Sequence, residues 1–161
     1  MRTARLFLAG VLSLAGCSSP DEPAPVEPVA SGPVVEQPVG AERVEAVLDG
    51  VALELEVADT ASERAVGLMR RESVPPGTGM VFRYDEPSTG RYYMYDVPIP
   101  LRAVFVRDGM VVSTVVMPPC EADDPSACPT YGADGPFDTV VETAPETLPD
   151  VRPGDAFQVT G

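Results

Sequence analysis

Apolar and acidic residues alternate from Val51 to Val57, with Val51, Leu53, Leu55 and Val57 set against Ala52, Glu54 and Glu56. Successive side chains on a strand point to opposite faces, so this pattern predicts a strand with one buried face and one acidic face. Val44 to Leu48 lies across Asp49-Gly50, a pair suited to a type I′ turn, and the two runs read as a hairpin. The period then changes. Thr60-Ala61-Ser62-Glu63 matches a capping box, and Ala61, Ala65, Leu68 and Met69 follow at helical spacing, which predicts a short helix from about Ala61 to Met69 or Arg70. Gly67 inside it weakens the helix by up to about 1 kcal/mol relative to alanine and points to close packing there.

Beyond the turn Pro75-Pro76-Gly77-Thr78-Gly79, the strand candidates are Met80 to Tyr84, Arg91 to Tyr95, Arg102 to Val106, Val111 to Met117, Thr139 to Glu142 and Ala156 to Thr160. Asp108-Gly109 supplies a second hairpin turn. Many short strands with one helix predict a mainly β (β-rich α+β) domain, a small antiparallel barrel-like or folded sheet with one short helix. The stretch Tyr92-Tyr93-Met94-Tyr95-Asp96-Val97-Pro98-Ile99-Pro100-Leu101 stands out within it. Adjacent rings on an extended segment face opposite ways, so Tyr92 and Tyr93 cannot enter the same core. Pro98 and Pro100 lack an N–H and keep this corner out of the middle of a sheet.

The N-terminus has a different character. Met1 to Arg5 is basic, and Leu6 to Leu14 is an apolar run well short of the ~20 residues a membrane-spanning helix needs, so residues 1–16 read as an export signal. It ends in Leu14-Ala15-Gly16-Cys17, which resembles the lipobox of bacterial lipoproteins. That resemblance implies cleavage before Cys17, acylation of its thiol, and a membrane partner reached through the lipid. Residues 17–42 hold the acylated cysteine and then prolines at 20, 23, 25, 28, 33 and 38 with no aromatic residue, a disordered tether that would reach roughly 60–80 Å if extended. The folded domain is expected over residues 43–161, and the location is the cell envelope, on the outer face of the cytoplasmic membrane or on the outer membrane.

Charge and composition narrow the chemistry. The net charge of −14 becomes more negative once Arg2 and Arg5 leave with the signal, so phosphate backbones are repelled and nucleic acid is not an expected partner. Lysine, histidine, tryptophan and asparagine are absent. This excludes histidine-based triads, lysine Schiff bases and histidine metal sites. Cys120 and Cys128 are expected to form a disulfide in an exported protein; a redox or metal-binding pair is the alternative, although the spacing is not Cys-x-x-Cys.

Several short motifs occur together: Thr60 with Glu63-Arg64, Gly67-Leu68-Met69 with Arg70 or Arg71, Gly79-Met80-Val81-Phe82, Met94, Ile99-Pro100-Leu101 with Phe105-Val106, Pro119-Cys120 with Cys128 and Tyr131, and Gly154-Asp155. In this combination the chain resembles the family catalogued as domain of unknown function 192. The resemblance spans roughly Arg43 to the C-terminus and implies a compact, mainly β domain with a short helix, without an agreed activity. This chain departs from the family pattern at Tyr93, where tryptophan is usual, at Asp96-Val97, usually Asn-Thr, and at Arg102, usually aspartate. Asp96 and Arg102 are therefore a candidate charge exchange.

The candidate ligand-binding residues are Arg64, Arg70, Arg71, Tyr93, Asp96 and Arg102, grouped around a cleft between the helix, Tyr93 and the proline corner. Guanidinium groups there could grip a carboxylate or phosphate, or Arg64 could pair with Asp96 or with a strand-end carbonyl and orient the helix. Met69, Met80, Met94 and Met117 fit core packing better than copper(I) ligation, and Asp123, Asp124, Asp134 and Asp138 fit a solvated loop better than a calcium site. No cofactor or metal is expected. The expected function is small-ligand binding or an accessory role, with a carboxylate/arginine-dependent enzyme or a protein-docking module for another envelope protein as alternatives.

Overall fold

The computed structural model describes residues 42–160. The expected export signal, the expected acylation site Cys17, the proline-rich segment up to residue 41 and Gly161 lie outside the described residues. β1 (Arg43–Leu48) and β2 (Val51–Ala58) form the expected hairpin, and Asp49 and Gly50 both take positive φ, 50° and 78°, as a type I′ turn requires. Asp108 and Gly109 repeat this at 50° and 75° between β5 (Leu101–Arg107) and β6 (Met110–Met117).

Helix α1 runs from Ala61 to Val66, and its capping box is complete: Glu63 N–H donates to the Thr60 hydroxyl while the Glu63 carboxylate accepts from Thr60 N–H. The helix ends earlier than its spacing predicted because Gly67 turns to φ 49°, with the Phe82 ring so near that a Cβ there would stand 3.2 Å from it. Leu68 and Met69 therefore pack from a turn. β3 (Thr78–Ser88) follows and runs parallel to β2, since α1 and the turns after it carry the chain across.

The remaining strands are β4 (Tyr92–Tyr93), β7 (Thr130–Tyr131), β8 (Phe137–Thr143) and β9 (Phe157–Val159). Seven strands in the order β6-β5-β8-β3-β2-β1-β9 make one mixed, curled half-barrel sheet, and β4 pairs with β7 in a separate ribbon. The curl nearly closes at one end, where Val111 N–H donates to Asp155 O and Phe157 N–H to Gly109 O, each at 2.9 Å.

Both faces of the central strands are covered, so β3, β5 and β8 alternate between two cores. The inner core gathers Val44, Leu53, Leu55, Val81, Val104, Val141 and Phe157 from across the curl. The outer core gathers Met80, Phe82, Leu101, Ala103, Phe105, Phe137 and Val140, and is roofed by Leu68, Met94 and Val97. Met80, Met94 and Met117 are fully packed core residues. Cys120 and Cys128 are disulfide-bonded, tying the two ends of the loop that carries a short 3₁₀ turn (Pro125–Ala127) and leads into β7.

Candidate functional site

The outer core contains one carboxyl group. Glu142 lies on β8 between Met80 of β3 and Ala103 of β5, its cross-strand partners, and keeps only 5% of its surface exposed. Its carboxyl makes no hydrogen bond or ion pair with another described residue. Burial pushes its pKa up to about 8, because the charged form loses water. At neutral pH it is mostly the neutral acid, able to donate one hydrogen bond and to accept others.

A cavity of about 100 Å³ opens in front of this acid. α1 contributes Arg64, the following turn Met69, β3 Phe82 and Tyr84, β4 Tyr92 and Tyr93, the corner Met94 and Val97, and the loop before β4 Arg91. Tyr92 stands edge-on to Phe82 at 5.3 Å and to Phe105 at 5.7 Å, and its hydroxyl shares a 2.8 Å hydrogen bond with that of Tyr84. Burial first, and then the Tyr84 hydrogen bond, raise the Tyr92 pKa above the ordinary phenol range, with Glu142 and Arg64 both within electrostatic reach. Tyr92 thus stays a neutral donor and acceptor beside the acid.

Arg64 is fixed from three sides. Its Nη1 donates to Arg83 O at 2.9 Å and to Asp59 O, and its guanidinium carbon sits 4.7 Å from the centre of the Tyr84 ring. A cation is thereby held at the cavity wall, and no carboxylate of the described residues pairs with it. Arg91 reaches Thr130 through Nε and Nη2, to the hydroxyl at 2.8 Å and the carbonyl at 2.7 Å, and joins the mouth to the β4–β7 ribbon. The site therefore combines two guanidinium groups, two linked phenols and one neutral acid with aromatic and thioether walls.

A family model for DUF192, described as Uncharacterized ACR, COG1430, matches residues 44–159. This chain belongs to the DUF192 family. Solved structures share the fold, two of them as follows. A Sinorhizobium meliloti 1021 protein described as a "putative transcription regulator" is 26% identical with a TM-score of 0.65, over 76% of this chain and 98% of that one. A protein of unknown function from Novosphingobium aromaticivorans DSM 12444 is 27% identical with a TM-score of 0.60, over 83% of this chain and 90% of that one. No curated protein sequence matches the chain.

Within this DUF192 domain the residues singled out from sequence divide among different places. Arg64 and Tyr93 meet at the Glu142 cavity, so the arginine-bearing helix and the tyrosine corner share one side of the sheet. Arg64 takes the strand-carbonyl alternative and does not pair with Asp96. Arg70 and Asp96 pair with each other beside Cys120 in a wider groove of about 590 Å³. Arg71 grips Glu56 bidentately in a third hollow of about 190 Å³, under the β1–β2 hairpin. Arg102 turns to Thr114 and Pro145 O, so the suggested exchange of charge between Asp96 and Arg102 does not appear as a pair.

The candidate binding residues include neither Glu142 nor Tyr84 and Arg91, and Tyr92 enters only as part of the aromatic stretch. The signal for Glu142 lies in its strand: Val140 and Val141 are both apolar, which marks a strand buried on both faces, and Glu142 shares the face of Val140. Among the described residues no group of three or more potential ligands could hold a metal ion, and no helix is long and apolar enough to cross a membrane.

Proposed function

We propose that this chain is an envelope lipoprotein, acylated at Cys17 and tethered by its proline-rich segment, whose β-rich domain binds a small molecule in the cavity between α1 and the tyrosine corner. The observation that carries the binding reading is Glu142. A carboxyl that faces a cavity from within the core, with no partner among the described residues, is a group that an incoming ligand can satisfy. The fixed guanidinium of Arg64 and the paired phenols place further hydrogen-bonding groups around the same small volume.

The cavity offers a single carboxyl group, whereas acid–base chemistry with paired carboxylates would need a second one across it. Binding is therefore favoured over catalysis. A docking surface is less well supported, since Tyr93 is the one exposed ring of the corner, at 40% exposure. The acidic composition also argues against a phosphate backbone as partner.

The test is a nuclear magnetic resonance screen of small organic acids, amines and neutral polyols against the domain. Resonances of Arg64, Met94 and Glu142 should shift together for at least one class. Shifts confined to the groove around Arg70 and Asp96 would refute the cavity reading. Anchoring is tested separately, by detergent partitioning of protein expressed with its own signal. The native chain should enter the detergent phase, and Cys17→Ser should leave it.

A further inference from the structure

Which molecule fits the cavity is constrained by the charges that line it together with Glu142 and by how each is already engaged. α1 presents Arg64, the β4 approach presents Arg91, β3 presents Tyr84 and β4 presents Tyr92 and Tyr93; β5 and the turn after α1 contribute only apolar Leu101, Leu68 and Met69. The Nη1 group of Arg64 is used by two backbone carbonyls, and neither its contacts nor those of Arg91 include a carboxylate. With the acid in its neutral form, the described residues lining the cavity carry two positive charges and no negative one.

We infer that the cavity holds the carboxylate end of a small organic acid, with one oxygen facing the Arg64 guanidinium and the other taking a hydrogen bond from the Glu142 carboxyl or the Tyr92 hydroxyl. This rests on the binding reading above and names its ligand class. An ammonium group would meet two guanidinium charges and a ring face already occupied by Arg64. A carboxylate instead supplies the negative charge and the acceptor lone pairs that the walls lack. The volume, about 100 Å³, is enough for a ligand as small as a carboxyl group with one or two carbons. Phe82 and Met94 line the space such carbons would fill.

The protonation states give the inference a distinctive sign. A carboxylate binds the neutral acid and is repelled by its ionised form, so affinity falls as pH rises through the titration of Glu142 near 8. An amine requires the ionised form, and its affinity would rise over the same range. Glu142→Gln keeps a donor and an acceptor at all pH values and imitates the neutral acid.

Calorimetric titration of the full chain with sodium propanoate and with propylammonium chloride, at pH 6.5 and pH 9.5, tests this. Propanoate should bind, with affinity falling by at least about tenfold at the higher pH in the native protein and by less than about twofold in Glu142→Gln. Propylammonium should give no saturable heat. Saturable amine binding that strengthens with pH and is abolished in Glu142→Gln would overturn the carboxylate assignment and leave the cavity reading standing. Saturation by neither probe, together with no ligand-induced shift at Glu142 in the resonance screen, would overturn both. Should Glu142→Gln fail to fold, the sign of the pH dependence in the native protein decides alone.

Discussion

Arg70 and Asp96 lie 26 residues apart, both take positive φ, 62° and 57°, and hold each other twice: Arg70 N–H donates to Asp96 O at 2.6 Å, and Arg70 Nε donates to the Asp96 carboxylate at 2.7 Å. This clasp joins the turn after α1 to the tyrosine corner, the two segments that wall the Glu142 cavity with Met69 and Met94. Left-handed backbone favours glycine and, among other residues, asparagine and aspartate. Asp96→Ala should therefore lose an exposed ion pair worth about 0.2–1 kcal/mol and add a backbone penalty of about 1 kcal/mol. Asp96→Gly should recover the backbone part and fall between Asp96→Ala and the native protein. Denaturant unfolding of the three proteins checks the order, and equal losses in the two variants would remove the backbone part of the argument.

Glu142 makes the domain sensitive to alkali. Its folded pKa is raised from 4.5 to about 8 by burial, so between these values the folded state keeps a proton that the unfolded chain has released. The unfolded state then binds fewer protons, and stability falls with rising pH, by up to ~1.4 kcal/mol per unit for this one group. The stabilisation of the protonated acid is fully present below about pH 4.5 and is lost by the time pH passes about 8. The native minus Glu142→Gln difference in unfolding free energy should decline across that window and level off above it. A flat difference would mean that the carboxyl is solvated.

The disulfide supports the cavity at one remove. Cys120–Cys128 closes the loop that delivers β7, and β7 pairs Tyr131 with Tyr92 and Thr130 with Tyr93. Replacing both cysteines by serine should destabilise the domain by roughly 2–3 kcal/mol in the chain-entropy account. Amide exchange should rise in the β4–β7 ribbon more than in β5 or β8. Equal acceleration throughout would show that the bridge acts on global stability alone.

Gly79 is the residue whose size sets the backbone approach beside Glu142. A Cβ at this position would fall inside contact distance of Glu142 O and touch the Thr143 methyl. Gly79→Ala should force β3 and β8 apart and cost about 3 kcal/mol or more. Thermal unfolding measures it. Gly135→Ala, where a Cβ would meet nothing within 4 Å, serves as the control and should change little.

The amino-acid pattern carried much of this fold because its strongest signals are local. Asp49-Gly50 and Asp108-Gly109 set hairpin turns, and Thr60 with Glu63 set the start of α1, each through residues within a few positions of one another. The early end of α1 depends on Phe82 lying against Gly67, a contact across 15 positions that helical spacing cannot report. The parallel pairing of β2 with β3 likewise depends on the path between them, while alternation within each strand is the same for either direction. The site was partly legible for the same reason. Arg64 and Tyr93 were drawn by residue type and reach the cavity; Arg70, Arg71 and Arg102 are drawn by the same type and are turned elsewhere by Asp96, Glu56 and Thr114. Glu142 is polar in a run of ordinary strand residues, and only the covering of both faces of β8 makes it unusual.

The most direct measurement follows the side-chain carboxyl carbon of Glu142 by nuclear magnetic resonance as pH is raised from 4 to 10, with and without saturating sodium propanoate. The account requires a midpoint near 8 in the free domain, moved upward when the acid binds. A midpoint near 4.5 that propanoate leaves unchanged would contradict it.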